Sequence, residues 1–207
     1  MERRDALKNL GFGSMALFTS TALFGALQGC SSTPEVDWNP VFLAPDEAAQ
    51  LEQICEGILP KTDTPGATEA GVANHLDQAL SAIYKNREAD FFKKGMAVFV
   101  DRFEDNSEVS FSKANTDQVT DVINAYFKKY KADESILKDY RAAFNDEGNK
   151  TEDFLETYFV TNVVDSTFWS YFTSELVGKE VMRYDPIPGK YEGCIPYNKG
   201  DKSWSSV

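Results

Sequence analysis

Thr151-Glu152-Asp153-Phe154-Leu155-Glu156-Thr157-Tyr158-Phe159-Val160-Thr161-Asn162-Val163-Val164-Asp165-Ser166-Thr167-Phe168-Trp169-Ser170-Tyr171-Phe172, running on to Leu176, is the stretch that decides the fold. Its apolar residues recur at three- and four-residue spacing rather than alternating, so it reads as one long helix. The aromatics fall on several faces, more than a single apolar stripe requires. Part of them suits a core. The others suit a protein–protein contact, where Tyr, Trp and Phe concentrate at buried centres.

The segments before it repeat the helical signal. Asp146 to Asn149 breaks the chain ahead of the long helix. Ile136, Leu137, Tyr140 and Phe144 mark a helix over about residues 134–144, and Val119, Ile123, Phe127 and Tyr130 mark one starting near Thr116. Phe91, Phe92, Met96, Phe99 and Phe103 mark another over about residues 88–103, and Val72, Leu76, Leu80 and Ile83 one over about 68–84. The first opens at Pro45-Asp46-Glu47, carries Leu51, Ile54 and Ile58, and stops at Pro60. After Gly178 the periodicity fails. Asp185-Pro186-Ile187-Pro188-Gly189 and Gly193-Cys194-Ile195-Pro196 lack backbone donors at each proline, so packing or a crosslink must hold this tail. The expectation is an all-α chain, a single bundle of about six helices over residues 44–207, with an irregular C-terminal arm from about residue 178.

The N-terminus carries two addresses. Arg3-Arg4-Asp5-Ala6-Leu7-Lys8 reads as a twin-arginine export signal, and Leu27-Gln28-Gly29-Cys30 as a lipoprotein cleavage box. The run between them contains Gly11, Gly13, Ser14, Thr19, Ser20 and Thr21, too polar and too short for a good spanning helix. The expected organisation is a leader over residues 1–29, a tether over 30–43 with Cys30 acylated, and a periplasmic, membrane-anchored body.

Removing the leader, with Arg3, Arg4 and Lys8 against Glu2 and Asp5, takes the net charge from −12 to −13. Such an acidic body disfavours nucleic acid, whose phosphates need cations, and adhesion to anionic lipid. Cys55 and Cys194 would face an oxidising compartment, where free thiols are uncommon. Two arrangements stay open: they pair with each other, or one pairs with a partner protein.

Known catalytic constellations are missing. His75 is the only histidine, so Glu-x-x-His from two helices cannot be assembled for a di-iron centre. There is no Gly-x-Ser-x-Gly elbow, no Cys-x-x-Cys-His and no zinc ligand set. Gly11-Phe12-Gly13, the nearest approach to a dinucleotide fingerprint, lies in the leader. Pairs such as Glu47 with Glu52 or Asp101 with Asp105 read as solvated charges rather than the enclosed pair that acid–base chemistry needs. No catalytic, cofactor-binding or metal residue is expected in this chain, and His75 reads as a surface or interface residue.

Two segments resemble a known family. Ile58-Leu59-Pro60-Lys61-Thr62-Asp63-Thr64-Pro65-Gly66-Ala67-Thr68-Glu69-Ala70-Gly71-Val72 is similar to the signature turn of the gluconate 2-dehydrogenase subunit 3 family. So are Gly178-Lys179-Glu180-Val181, Tyr184 and Pro188-Gly189-Lys190-Tyr191-Glu192-Gly193-Cys194, and the likeness runs from about Leu43 to Pro196. The resemblance implies a non-catalytic small subunit of a membrane-associated sugar or sugar-acid dehydrogenase. It implies a large partner subunit of the glucose–methanol–choline type holding FAD, with a haem c cytochrome as a third subunit. It also implies that the small subunit carries the export signal and helps the flavoprotein mature and cross the membrane.

Within the turn, Thr62, Asp63 and Thr64 can brace the loop through side-chain oxygens while Pro65 fixes φ and Gly66 permits a reversal. They are candidate partner contacts as well, with Tyr184, Pro188, Gly189 and Tyr191 of the arm as a clasp. The leader departs from the family pattern by adding the lipoprotein box, which makes the small subunit itself the expected tether. The alternative function is an independent periplasmic helical lipoprotein, a binding module with no redox partner.

Overall fold

Helix α1 (Pro45–Ile58) opens a run of seven helices among the described residues. It is followed by α2 (Val72–Ala82), α3 (Asn86–Ser107), α4 (Thr116–Ala132), α5 (Ser135–Phe144), α6 (Glu152–Phe172) and α7 (Glu175–Glu180), with a 3-10 turn at Phe111–Lys113 before α4. The computed structural model describes residues 36–204 apart from 147, 149, 186, 188, 190–193, 195 and 197. Arg3, Arg4, Cys30, Pro188 and Tyr191 lie outside the described residues. No strand forms among those described, where an isolated bridge between Arg183 and Trp204 is the sole extended pairing. The chain is therefore all-α, as its periodicity predicts.

Local chemistry places the ends. Pro45 sits in the first turn of α1, where a missing N–H costs nothing. The Glu47 carboxylate accepts the Ala44 N–H at 2.8 Å. Asn115 and Gln118 form a reciprocal capping box at the start of α4. The helix expected from Thr68 begins later, at Val72, because Gly71 adopts φ 67° and turns the chain just ahead of it. The long aromatic helix ends at Phe172 rather than Leu176. Ser174 then accepts the Val177 N–H at 3.3 Å and starts α7 afresh, so regular structure continues through Glu180.

The centre is the crossing of α3 and α6. Phe92 and Phe159 meet edge to face at 5.0 Å, and Phe99 lies 5.5 Å from Phe159. A side chain at Gly95 would overlap the Leu155 carbonyl, so this close approach of two backbones requires glycine. Phe103 and Phe111 extend the cluster at 5.0 Å under the 3-10 turn.

Two buried carboxylates hold the periphery, and neither stands out in the sequence. Asp77 in α2 is fully buried and accepts the N–H groups of Val41 at 2.5 Å, Phe42 at 3.1 Å and Leu43 at 2.8 Å. This corrects the expected tether over 30–43. Its last residues belong to the body, with Leu43 buried and Val36, Trp38 and Phe42 packed on the core. Glu156 in α6 is buried, receives the Tyr126 hydroxyl, and pairs with Arg102, which also reaches Asp153 at 2.8 Å.

Cys55 and Cys194, for which two pairings stay open, are both free thiols in the structure. Cys55 is buried under α6, where its sulfur accepts the Thr167 hydroxyl at 3.5 Å, while Cys194 is exposed on the arm. Among the described residues no helix is long and apolar enough to cross a membrane.

Candidate interaction face

The loop between α1 and α2 is built around two carboxylates. Glu56 of α1 accepts the N–H groups of Lys61 at 3.0 Å and Thr68 at 2.9 Å. Glu69 accepts the Gly66 N–H at 3.3 Å and pairs with the Lys61 ammonium. The Ala67 N–H closes the loop onto the Leu59 carbonyl at 2.9 Å. At the tip the Thr62 and Thr64 hydroxyls share a hydrogen bond of 3.3 Å, and the Thr62 N–H donates to the Thr64 carbonyl at 3.0 Å. Asp63 is exposed and hydrogen-bonds to no described residue. The bracing expected of Thr62, Asp63 and Thr64 is thus carried mostly by Glu56 and Glu69, which leaves the tip presented to solvent.

This loop is fixed to the C-terminal half of α6. The Tyr171 hydroxyl donates to the Pro65 carbonyl at 2.7 Å. Tyr84, just after α2, shares a hydrogen bond of 3.0 Å with Ser166. His75 of α2 stacks on Trp169 at 5.0 Å, which places it at the edge of an aromatic surface. Beside it Phe168 is 40% exposed, Trp169 53% and Phe172 43%, with Phe168 and Phe172 stacked 6.4 Å apart. Ile83, at the end of α2, is 71% exposed. A cluster of exposed aromatics, held rigid by hydrogen bonds behind it, is the signature of a contact surface.

The arm is closed at its base. The Arg183 N–H donates to the Ser203 carbonyl at 2.8 Å, the Lys202 ammonium to the Glu180 carbonyl at 2.7 Å, and the Arg183 guanidinium lies 4.1 Å over the Trp204 ring. Tyr184, 40% exposed, leaves this base with the Lys179 ammonium 5.9 Å from its ring, and Gly189 is exposed further along.

The buried acids Asp77 and Glu156 are committed to backbone amides and to Arg102 with Tyr126. Glu52, half-buried beside Trp38, is raised above the ordinary glutamate range mainly by burial. Burial pushes the Cys55 thiol up to about 12, where it is no nucleophile near neutral pH. No group of three metal-ligating side chains converges among the described residues.

The family model described as gluconate 2-dehydrogenase subunit 3 matches residues 45–189. The chain belongs to this family. No curated protein and no solved structure matches it. The matched segment starts at the first residue of α1 and ends in the arm, so it takes in the signature loop and the whole aromatic face. Membership of the subunit 3 family makes the chain an accessory subunit of a dehydrogenase complex.

Proposed function

We propose that this chain is the export and membrane-tethering subunit of a periplasmic, FAD-dependent sugar or sugar-acid dehydrogenase. The twin arginines Arg3 and Arg4 send the folded assembly across the membrane, and acylated Cys30 retains it there. FAD belongs to the large glucose–methanol–choline type partner, and a cytochrome c subunit carrying haem takes the electrons. The large subunit docks on Phe168, Trp169 and Phe172 and on the tip at Thr62 and Asp63, with Tyr184 and the arm closing beside it.

The observation that carries this reading is the aromatic face beside the signature loop. Three large rings stand 40–53% exposed on a helix whose other half is core. Buried aromatic anchors of this kind dominate binding energy in stable complexes.

The test is purification of the tagged chain from native membranes. A flavin-containing protein is expected to co-purify, and a stable chain recovered without one would sink the reading in favour of an independent lipoprotein. Replacing Arg3 and Arg4 with lysine is expected to strand the flavoprotein in the cytoplasm. If it still reaches the periplasm in active form, the carrier role is wrong.

A further inference from the structure

We infer that the groove between α4 and α5 is a second docking site, separate from the aromatic face, and that it takes an acidic amphipathic helix of a partner protein. Helix α5 leaves no side chain fully buried. Its apolar residues, Ile136, Leu137, Tyr140, Ala143 and Phe144, are only partly covered by the core. Between α5 and α4 lies a groove of about 390 Å³ with Phe127, Tyr130 and Leu137 in its lining. Phe127 is 41% exposed there.

The rim of this groove inverts the charge of the molecule. The chain as a whole carries −12, yet from Lys128 to Arg141 five cations (Lys128, Lys129, Lys131, Lys138 and Arg141) face three carboxylates (Asp133, Glu134 and Asp139). Lys131, Lys138 and Arg141 line the groove, together with Glu134. None of the five cations forms an ion pair among the described residues, as Lys61, Lys93, Lys94, Arg102 and Lys179 do; Arg87, Lys113 and Lys150 are likewise unpaired but lie outside this groove. Asp133 is turned to its own helix start, accepting the Ser135 N–H at 3.0 Å and hydroxyl at 2.6 Å.

Cations in excess of carboxylates beside an apolar lining select an occupant with the opposite pattern, apolar anchors at helical spacing flanked by Asp and Glu. Concavity separates this occupant from a bilayer, since a flat anionic surface would meet the rim but leave the lining empty. The inference does not depend on which chain fills the aromatic face.

Carbodiimide, which couples lysine to a contacting carboxylate, provides the test on the tagged full chain purified from native membranes at low salt. Mapping the coupled peptides by mass spectrometry is expected to join Lys131 or Lys138 to one acidic, amphipathic partner segment. Charge reversal by Lys131→Glu, Lys138→Glu and Arg141→Glu is expected to reduce that coupling about 10-fold or more, as is raising the salt to ~0.5 M. All three residues are exposed, so the melting temperature serves as the check that the variant folds. Trp169→Ala with Phe172→Ala is expected to leave the coupling intact. Absence of any partner peptide on these lysines, or coupling that survives charge reversal, overturns the proposal. So does flotation of the chain with phosphatidylcholine vesicles containing about a third phosphatidylglycerol, if charge reversal abolishes it, because the site would then be a lipid contact.

Discussion

From Phe154 to Val163, α6 buries Phe154, Tyr158, Phe159, Val160 and Val163, whereas from Phe168 to Phe172 it leaves three of its four aromatic rings 40–53% exposed. Composition does not distinguish the halves; their neighbours do. The first half lies against α3, where Phe91 meets Phe154 at 5.4 Å and Tyr158 at 5.6 Å and Phe92 meets Phe159. The second half is held by α2 and the signature loop through His75, Tyr84 and Pro65, and it leaves Phe168 40% and Phe172 43% exposed. An aromatic residue in this helix therefore acts as core or as contact according to what lies opposite. Truncation separates the two.

The largest effect is expected in the first half. Phe159→Ala removes a fully buried ring from the α3–α6 crossing and is expected to cost about 3–5 kcal/mol, measured by denaturant unfolding. A loss below about 1 kcal/mol would erase the contrast between the halves. Next comes the second half: Trp169→Ala with Phe172→Ala is expected to change the chain's own stability by less than about 1 kcal/mol. The same double variant is expected to weaken capture of the dehydrogenase subunit at least ~30-fold. Unchanged capture would return these rings to the status of ordinary exposed apolar residues.

The smallest effect tests the boundary, where Thr167 covers Cys55. Burial holds the folded Cys55 thiol protonated up to about 12, against 9.0 for an ordinary thiol. The folded state thus keeps a proton that the unfolded state releases. The stability this gives is complete below pH 9 and lost as pH climbs towards 12. Burial raises Tyr130 to about 12 and shifts Tyr126 and Tyr158 the same way, so all four groups act in one direction. The melting temperature is expected to fall steadily above pH 9. A thiol reagent near neutral pH is expected to label Cys194 and spare Cys55, and equal labelling would show that the second half of α6 does not stay closed over α1.

How far the sequence reveals this molecule depends on the range of the interaction. Helix existence is local, so the spacing of Phe91, Phe92, Met96, Phe99 and Phe103 predicts α3, and the aromatic excess of α6 already exceeds one stripe. Ends that depend on one backbone angle, as at Gly71, or on a fresh cap, as at Ser174, shift by a few residues. Glu156 and Asp77 read as two more charges among many, because the partners that bury them, Arg102 and the Val41–Leu43 amides, lie far away in the chain. The cationic rim is hidden for a different reason: summing charge over the whole chain averages it away. The signature loop reads correctly as a turn, but its bracing comes from Glu56, a residue of the preceding helix rather than of the turn.

The Asp77 clamp has a consequence for the order in which the molecule is made. The amides of Val41, Phe42 and Leu43 leave the ribosome first, and the carboxylate that receives them follows 36, 35 and 34 residues later. Until α2 has been synthesised and has docked, those amides have only water to bond. The segment just ahead of α1 consequently sets only after α2 has docked, although it is made earlier. Hydrogen exchange at these three positions reports whether the stretch ahead of α1 has yet been tied to α2.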